Sequence, residues 1–550
     1  MGKKSLTLLI GILLAAALTL AGCGGGGGSE EKQQGVPGTG GMAAEQVLTY
    51  NNGTEPETLD PAKMTGIPEG TVAYALFDGL TRMTAKGLEP AIAKSWDVSE
   101  DGLTYTFHLR DAKWSNGDPV TAHDFEFAWK RALDPDTLSE YAYQLYYIKN
   151  GQAFNEGKIT DPNQVGVKAL DEKTLEVTLE APAPYFLSLT SFYTLFPLHR
   201  ATVEAHPDDW ANSPETLVCN GPFVLDKWEH QAKIELVKNK NYWDADSVKL
   251  DKVVLTMVEE ESTYLTMWEN GELDSIEQPP INDIPRLKQE GKLQIKPYLG
   301  VYYYIFNTKK EPFDDVRVRK ALALAIDRQA IVEKITKRGE KPALAYVPYG
   351  IPDAEPGSDF REIGGDYFKD NDIETAKQLL ADAGYPGGKG LPPITILYNT
   401  REDHKIIAEA VQEMWKKNLG IENVTLTNQE WQVYLDSRDE GNFHVARAGW
   451  IGDYFDPMTF LDMYVSTNLQ NDGKWSNAEY DQLIAAAKST GDQKARMEAM
   501  HKAEKILMDE MAIMPIYFYS HAVCEHEYVK DTYWNPLGPP DFKYAWIAKH

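Results

Sequence analysis

The sequence predicts an α/β protein with more than one lobe, and three observations carry that prediction. The chain has 550 residues, and domains usually contain about 100–200 residues, so three or more structural units are expected. The first third is rich in short alternating strands, whereas the later half alternates helical and strand-like segments. Hydrophobic residues make up 43% and charged residues 25% of the chain, which is typical of a globular protein and not of a disordered or fibrous one.

The N-terminus resembles the leader of a bacterial lipoprotein. An apolar run over residues 6–21 follows two lysines, and this length is typical of a secretory signal peptide. The run ends in Leu20-Ala-Gly-Cys23, which resembles the lipobox in which the cysteine is lipidated. We therefore expect a signal peptide over residues 1–22 and lipidation at Cys23; a chance cysteine after an ordinary signal peptide is the alternative.

A glycine-rich segment follows the leader. Residues 24–41 include glycine, serine, glutamate and glutamine, and a flexible chain of this length spans roughly 24 Å. We expect residues 23–43 to form a lipidated tether. The globular part then stands at the outer face of the cytoplasmic membrane, which is the periplasmic side if the cell has an outer membrane.

Charge argues against a nucleic-acid partner. The chain carries 55 Lys and Arg against 83 Asp and Glu, with a net charge of -28. Binding to a phosphate backbone depends on a basic surplus that releases counterions. The sequence therefore predicts no nucleic-acid binding.

Alternating apolar residues predict strands at 47–50, 104–109 and 175–179. Between them, Thr121 and Asp124 form a capping-box-like start of a helix that extends to residue 133.

The later half contains both helical and extended patterns. Asp314 or Asp315 can cap a helix over residues 316–326, and Asp372 can cap another over 373–383. The sequence predicts strands at residues 392–398 and 443–448.

Cysteine usage leaves two outcomes open. With Cys23 lipidated, only Cys219 and Cys524 remain. Outside the cytoplasm they either pair or stay buried as thiols, and the sequence does not decide between these outcomes.

The motifs of hydrolases and nucleotide-binding proteins are absent: G-x-S-x-G, H-E-x-x-H and G-x-x-x-x-G-K-[ST] do not occur. The densest group of metal-ligand types is His521, Cys524 and His526, which we interpret as a surface or strand-end histidine pair. The run 259–261 of three glutamates is interpreted as a solvated face. We expect no enzyme activity, no cofactor and no metal; a secreted peptidase or amidase is the rival hypothesis from another class.

The segment from residue 443 to 457 is the most informative. If it is extended, period two places Arg447, Gly449, Ile451 and Asp453 on one face. Glycines let a second backbone approach, and the opposite charges suit the two termini of a zwitterion. The alternative is a core strand with ordinary charges at its ends.

From about residue 47 onwards the chain resembles the oligopeptide-binding proteins of ABC importers, in family 5 of the extracellular solute-binding class. The matching stretches occur in the same order as in that family. They include Ala93-Lys-Ser-Trp96, Trp114-Ser-Asn-Gly117, Asn239-Lys-Asn-Tyr-Trp243, Pro312-Phe-Asp-Asp-Val-Arg-Val-Arg319, Gln429-Glu-Trp431 and Val445-Ala-Arg-Ala-Gly-Trp450.

The resemblance implies a periplasmic-binding-protein-like two-lobe fold of the cluster C type, with three domains and the extra domain on the first lobe. The implied domains are I (44–77, 200–299 and 520–550), II (78–199) and III (300–519). Two chain crossings near 299 and 519 are expected to form the hinge about which the lobes close over an extended peptide.

Site residues are carried over position by position. The resemblance implies that Asp453 pairs with the peptide α-ammonium, and that Arg447 and His404 are cationic partners of the C-terminal carboxylate. The other implied ligand-binding residues surround the side-chain pockets. They are Trp450, Gly449, Ile451, Trp431, Tyr303, Tyr298, Tyr519, Ile67, Thr65 and Ile305.

This sequence departs from the enterobacterial relatives at several of these positions. Two acidic pocket positions are Thr65 and Ile305 here, and a lysine is replaced by Thr336 with Lys337 beside it. We therefore expect weak selection for cationic side chains, with equal affinity for Lys-rich and Ala-rich peptides.

The implied function is capture of short peptides outside the cytoplasmic membrane and delivery to an ABC permease whose ATPase subunits are separate chains. The protein is expected to act as a monomer that contacts the membrane through its lipid anchor. A narrow-specificity receptor for signalling or cell-wall peptides on the same fold is the alternative.

Overall fold

The computed structural model describes residues 41–550. The signal peptide, Cys23 and most of the tether, residues 1–40, lie outside the described residues, and their predictions stay predictions. The strands are β1 (Val47–Asn51), β2 (Thr81–Thr84), β3 (Gly87–Pro90), β4 (Ala93–Val98), β5 (Thr104–Leu109), β6 (Val167–Asp171), β7 (Thr174–Thr178), β8 (Phe223–Glu229), β9 (Lys233–Lys238), β10 (Lys252–Thr256), β11 (Ser275–Glu277), β12 (Gln294–Phe306), β13 (Lys341–Pro342), β14 (Ile394–Asn399), β15 (Val424–Gln429), β16 (Val445–Ile451), β17 (Ile513–Glu525), β18 (Val529–Lys530), β19 (Tyr533–Trp534), β20 (Pro540–Asp541) and β21 (Trp546–Ile547).

Helices occur between the strands throughout, which confirms the predicted α/β class. They are α1 (Ile67–Leu76), α2 (Ala122–Leu133), α3 (Gly151–Asn155), α4 (Phe186–Leu189), α5 (Arg200–Ala205), α6 (Glu261–Glu269), α7 (Ile284–Gln289), α8 (Val316–Leu324), α9 (Arg328–Ala330), α10 (Phe360–Gly364), α11 (Ile373–Asp382), α12 (Glu402–Leu419), α13 (Trp431–Asp439), α14 (Met458–Leu461), α15 (Ala478–Lys488) and α16 (Gln493–Asp509). Among the described residues, no helix is both long and apolar enough to cross a membrane.

An 11-stranded mixed sheet organises most of the chain. Its strand order is β15-β14-β16-β12-β17-β11-β1-β10-β9-β8, and β13 pairs with β17. The two long central strands, β12 and β17, run antiparallel, and their register shifts between Pro297 and Val301. The predicted chain crossings near 299 and 519 therefore fall inside these two strands. The strands on one side of the pair come from the predicted domain III and those on the other side from domain I.

A separate antiparallel sheet, β4-β5-β7-β6, lies within residues 78–199. Helix α2 packs against it through buried aromatic side chains, and Trp129 Nε1 donates a hydrogen bond of 2.8 Å to the carbonyl of Leu195. Residues 42–550 pack as one unit, so the predicted lobes contact each other in this structure.

Local predictions of helix starts are confirmed. Thr121 and Asp124 form the capping box of α2, and the carboxylate of Asp315 accepts the backbone N–H of Arg317 at 2.8 Å at the start of α8. Helix α11 follows Asp372, but this side chain accepts from the hydroxyl of Thr375 at 3.0 Å and not from a backbone N–H.

Burial decides one open question and corrects two expectations. Of the two outcomes left open for Cys219 and Cys524, the structure shows buried free thiols, and burial raises the pKa of each thiol to about 12, so both are inert. Glu261 is buried and not part of a solvated face. His521 is likewise buried, with its Nδ1 2.7 Å from Oε1 of Glu277, and no metal-ligand cluster occurs within residues 41–550.

Candidate binding cavity

A cavity of about 330 Å³ lies against the large sheet, within the range of about 300–1,000 Å³ that is typical of ligand pockets. Its wall combines segments that are far apart in the chain. They are the end of β1, the start of α1, residues 140–141 and 192–193, the loop after β14, α13, β16 and the middle of β17. Residues from all three predicted domains therefore line one space.

Strand β16 presents one face to this cavity. Arg447, Gly449 and Ile451 line it, whereas Ala446 and Ala448 are buried in the core; Trp450, although on the other face, also reaches the cavity wall. This alternation is the period of two that the sequence predicted.

One detail of that segment differs from the prediction and a second adds to it. The strand ends at Ile451, so Asp453 reaches the cavity from the turn that follows. In addition, a Cβ on Gly449 would lie 2.5 Å from the hydroxyl oxygen of Tyr519. The packing of Tyr519 is therefore a second reason for glycine at this position, beside the predicted approach of a ligand backbone, which stays a prediction.

Asp453 is a buried carboxylate held by neutral donors, and only 8% of its surface is exposed. Its Oδ2 accepts a hydrogen bond of 2.6 Å from Nε2 of Gln144 and a longer one of 3.4 Å from the hydroxyl of Thr459. In the part of the chain that the structure describes, no basic side chain lies within 4.0 Å of it. Burial raises the pKa of Asp453 well above its ordinary value, although both hydrogen bonds lower it. We call Asp453, Gln144 and Thr459 the Asp453 site.

Arg447 lacks an acidic partner in the same way. Its Nη2 donates to the hydroxyl of Tyr519 at 2.6 Å and its Nη1 to Oδ1 of Asn399 at 3.4 Å, while the guanidinium lies 4.8 Å from the ring centre of Tyr302. Within residues 41–550 no carboxylate lies within 4.0 Å of Arg447. Arg447 and Asp453 are therefore a positive and a negative side chain of the cavity wall that each lack a charged partner.

His404 lies in the first turn of α12 and is buried. Its Nδ1 is 3.2 Å from Oδ1 of Asp403. Burial and the nearby charge of Arg447 lower the pKa of His404 well below its ordinary value, and this outweighs the opposite effect of Asp403. His404 is therefore neutral at pH 7 while the cavity is empty, unlike the cationic partner that the sequence predicted.

Aromatic side chains form the remaining wall, and the predicted residues Trp431, Trp450, Tyr298 and Tyr519 are among them. Trp450 is fixed by a hydrogen bond of 2.8 Å from its Nε1 to the carbonyl of Thr459. Its ring stacks on Tyr141 at a centroid distance of 6.0 Å. Such walls accept apolar groups and offer polar edges.

The predicted residues Thr65 and Ile67, at the start of α1, also line the cavity, but Tyr303 and Ile305 do not. On β12 the residues alternate, and Tyr303 and Ile305 point into the core on the face opposite to Arg447. Both are almost completely buried. The pairing register of β12 with β16 therefore removes these two residues from the site.

A group of four charges, three of them buried and one, Arg401, half-buried, lines another part of the cavity and its edge. Arg338 Nη1 lies 2.8 Å and Arg401 Nη2 lies 2.9 Å from Oδ2 of Asp403. Glu261 is 3.7 Å from Arg338 and 3.8 Å from Arg401. We call these residues the four-charge cluster. Sequence reasoning missed it, because its members are distant in the chain and no local pattern marks them.

Six further carboxylates line the cavity, and Glu259 and Glu277 are two of them. The other four, which sequence reasoning also missed, are Glu57, Glu140, Asp436 and Asp439. Burial and neighbouring carboxylates raise the pKa of Glu140 to about 7 and that of Asp439 to about 6. The replacement of acidic residues at Thr65 and Ile305 therefore does not leave the cavity without acidic side chains.

Residues 87–472 match the family described as bacterial extracellular solute-binding proteins, family 5 Middle. The oligopeptide-binding protein OppA of Bacillus subtilis is 41% identical over 553 residues, covering 98% of this chain and 99% of the relative. These matches extend over nearly all of the chain.

Two solved structures of relatives superpose on this structure to different extents. Haemophilus influenzae OppA in complex with RPPGFSPFR has a TM-score of 0.85 at 37% identity, covering 92% of this chain and 100% of that chain. The unliganded open form of the murein tripeptide-binding protein MppA has a TM-score of 0.62 at 39% identity, covering 93% and 99%. Because the identities are similar, sequence divergence does not explain the difference. The present structure has the lobe arrangement of the complex.

Proposed function

The chain belongs to the bacterial extracellular solute-binding proteins of family 5, and from that premise we propose that it captures short peptides in the cavity between its lobes for import by an ABC permease. The ATPase subunits of that permease are separate chains. The family and its relatives are binding proteins and not enzymes.

The observation that carries this proposal is the pair of unpaired, opposite charges, Asp453 and Arg447. Burying an ammonium or a carboxylate without a partner costs several kcal/mol, about 3–5 kcal/mol when one partner of a buried pair is removed. A zwitterionic chain supplies both missing partners, with its α-ammonium at Asp453 and its carboxylate at Arg447. We infer that these two ends set the register of the bound peptide.

In this proposal the cavity selects only weakly among the peptide side chains that lie between the two ends of the ligand. Trp431, Trp450 and Tyr298 offer apolar surface with polar edges, which suits many side chains. Water that fills the unused volume hydrogen-bonds nearly as well as a direct contact. Once a carboxylate lies near Arg447, it also favours the protonated form of His404, which then becomes a second cationic partner.

The domain limits stay as proposed from the sequence: domain I comprises 44–77, 200–299 and 520–550, domain II comprises 78–199, and domain III comprises 300–519. The central pair β12 and β17 supports a hinge near 299 and 519, because only these long strands carry the sheet across both limits in the described residues. Closure buries the peptide, and separation of the lobes releases it.

We also propose that the mature protein is a monomer held at the outer face of the cytoplasmic membrane by lipid on Cys23. A tether of roughly 24 Å lets the binding unit reach the permease. Metabolic labelling with a palmitate analogue tests this proposal: wild-type protein is labelled and Cys23→Ser is not. Equal labelling of both would contradict it.

Mass spectrometry of the small molecules released on denaturing the purified protein tests the ligand class. We expect a mixture of peptides of a few lengths and of varied composition. A single peptide sequence would favour the narrow-specificity receptor. A non-peptide ligand, or cleavage of added peptides, would contradict the proposal.

A further inference from the structure

Gln144 contacts Asp453 from a part of the chain that is 309 residues away. It lies in a short helical turn, Ala142–Leu145, and is completely buried. Its Nε2 donates a 2.6 Å hydrogen bond to Oδ2 of Asp453, while its Oε1 is buried without a hydrogen-bond partner in the described part of the chain. Gln144 is not among the residues that line the cavity, so it acts on a ligand only through Asp453.

We propose that Gln144 is a positioning residue for ligand recognition, whose amide N–H favours the ionised form of the Asp453 carboxylate and orients it toward the α-ammonium of the peptide. This inference rests on the proposed function, because it needs Asp453 to receive that ammonium. It adds a residue from domain II to a site otherwise built on domain III.

Few groups around Asp453 can stabilise its ionised carboxylate. The titratable side chains that face it are tyrosines, and burial raises the pKa of each of them, so they carry no charge at neutral pH. They are Tyr74, Tyr141, Tyr143 and Tyr193. Thr459 also stabilises the carboxylate, but at 3.4 Å its hydroxyl is farther from Oδ2 than the Gln144 nitrogen. A donor to the charged form of an acid favours that form, so Thr459 and Gln144 both lower the pKa of Asp453 against the effect of burial, and Gln144 is the nearer of the two donors to Oδ2.

The contact between Gln144 and Asp453 also joins two predicted domains. A test of the proposal therefore has to distinguish the loss of a domain contact from the loss of carboxylate positioning. The chain offers a matched control, because the hydroxyl groups of Tyr147 and Tyr454 lie 3.1 Å apart and link the same two segments without touching Asp453. Tyr147→Phe therefore removes one hydrogen bond between the segments and leaves the Asp453 site intact.

The experiment compares trialanine with N-acetyl-trialanine by calorimetry for the wild type, Gln144→Met and Tyr147→Phe. In Gln144→Met we expect affinity for the free amine to fall about tenfold relative to the acetylated peptide, as for loss of a hydrogen bond to a charged group. The loss of free-amine affinity on acidification should also begin at a higher pH than in the wild type. Tyr147→Phe should change both affinities by the same factor and leave the pH profile in place.

If the methionine variant does not fold, Gln144→Asn replaces it, because the shorter side chain also loses the hydrogen bond to Asp453. We expect the same selective loss of free-amine affinity and the same change in the pH profile. Equal weakening of both peptides by the Gln144 variants, with an unchanged pH profile, would overturn the proposal and leave Gln144 as a structural contact. If the wild type itself shows no preference for the free amine, the proposed register fails instead, and the two failures are therefore distinct.

Discussion

The Asp453 site and the four-charge cluster line the same cavity, and each contains a buried aspartate. The two aspartates differ in the charge of the groups that contact them. Asp453 faces two neutral donors, whereas Asp403 accepts contacts from two guanidinium groups. Burial acts on both carboxyl groups to raise the pKa. At Asp403 the charges of Arg401 and Arg338 outweigh burial and lower the pKa, but at Asp453 burial prevails.

The difference indicates which charges are available to a ligand. The four-charge cluster is satisfied internally, with two acids and two bases, so it stabilises the contact between the segments that provide it. The Asp453 site keeps an uncompensated charge, which destabilises the empty cavity and favours a cation that enters. Burial alone therefore does not identify a binding residue; the missing counter-charge does.

The largest effect should come from breaking the four-charge cluster. Asp403→Asn leaves the buried guanidinium of Arg338 and the half-buried one of Arg401 without their main partner, and we expect a loss of about 3–5 kcal/mol in the free energy of unfolding. Urea denaturation followed by circular dichroism measures this loss. The exposed pair of Lys377 and Glu374, 3.2 Å apart, provides a control, because Glu374→Gln should have no measurable effect. A similar result for both variants would remove the distinction between the two regions.

Removing the charge at Asp453 should weaken ligand binding and leave the stability of the protein unchanged, the reverse of the effect expected at Asp403. Asp453→Asn should weaken binding of a free-amine tripeptide by about a hundredfold, since truncating a buried charge pair costs about 2–5 kcal/mol. The N-acetylated peptide should be affected far less. The empty protein should lose no stability, because the variant removes an unpaired buried charge. Calorimetry and urea denaturation test the two halves, and a destabilised variant with unchanged selectivity would contradict the assignment.

The pH dependence of stability also separates the wild type from Asp453→Asn. A difference of one unit between the folded and unfolded pKa of a group changes the free energy of unfolding by up to about 1.4 kcal/mol. The folded-state pKa of Asp453 is raised above its unfolded value, so its ionisation destabilises the empty protein as pH rises from the unfolded pKa through the folded one. On lowering the pH from 7 to 5, the wild type should therefore gain stability relative to Asp453→Asn. Over the same interval its affinity for free-amine peptides should fall. Parallel pH profiles for the two proteins would show that Asp453 has an ordinary pKa.

The smallest expected effect concerns the four carboxylates Glu57, Glu140, Asp436 and Asp439. They lead us to expect a preference of less than about tenfold for a central lysine over alanine in a tripeptide at pH 8, because partly exposed charges interact weakly. Since the pKa of Glu140 is raised to about 7 and that of Asp439 to about 6, the preference should disappear near pH 5. Equal affinities at pH 8 would support the prediction made from Thr65 and Ile305.

Much of the local structure follows from short-range patterns. The capping box of α2 and the start of α8 are read from neighbouring residues, and so is the alternation that brings Arg447 and Ile451 to one face of β16. Tyr303 and Ile305 show the limit of this reasoning, because the face they occupy depends on the register of β12 against β16, and that pairing joins segments far apart in the chain.

The order of amino acids was enough to predict the family, the α/β class, the positions of several elements and the residue types that suit a zwitterion. The folded arrangement was needed to show that Asp453 and Arg447 lack counter-ions, that Gln144 contacts Asp453, that Glu261 is buried and that Cys219 and Cys524 stay apart. This division arises because backbone geometry repeats over a few residues, whereas the energy of a charge depends on everything folded around it, including groups hundreds of residues away.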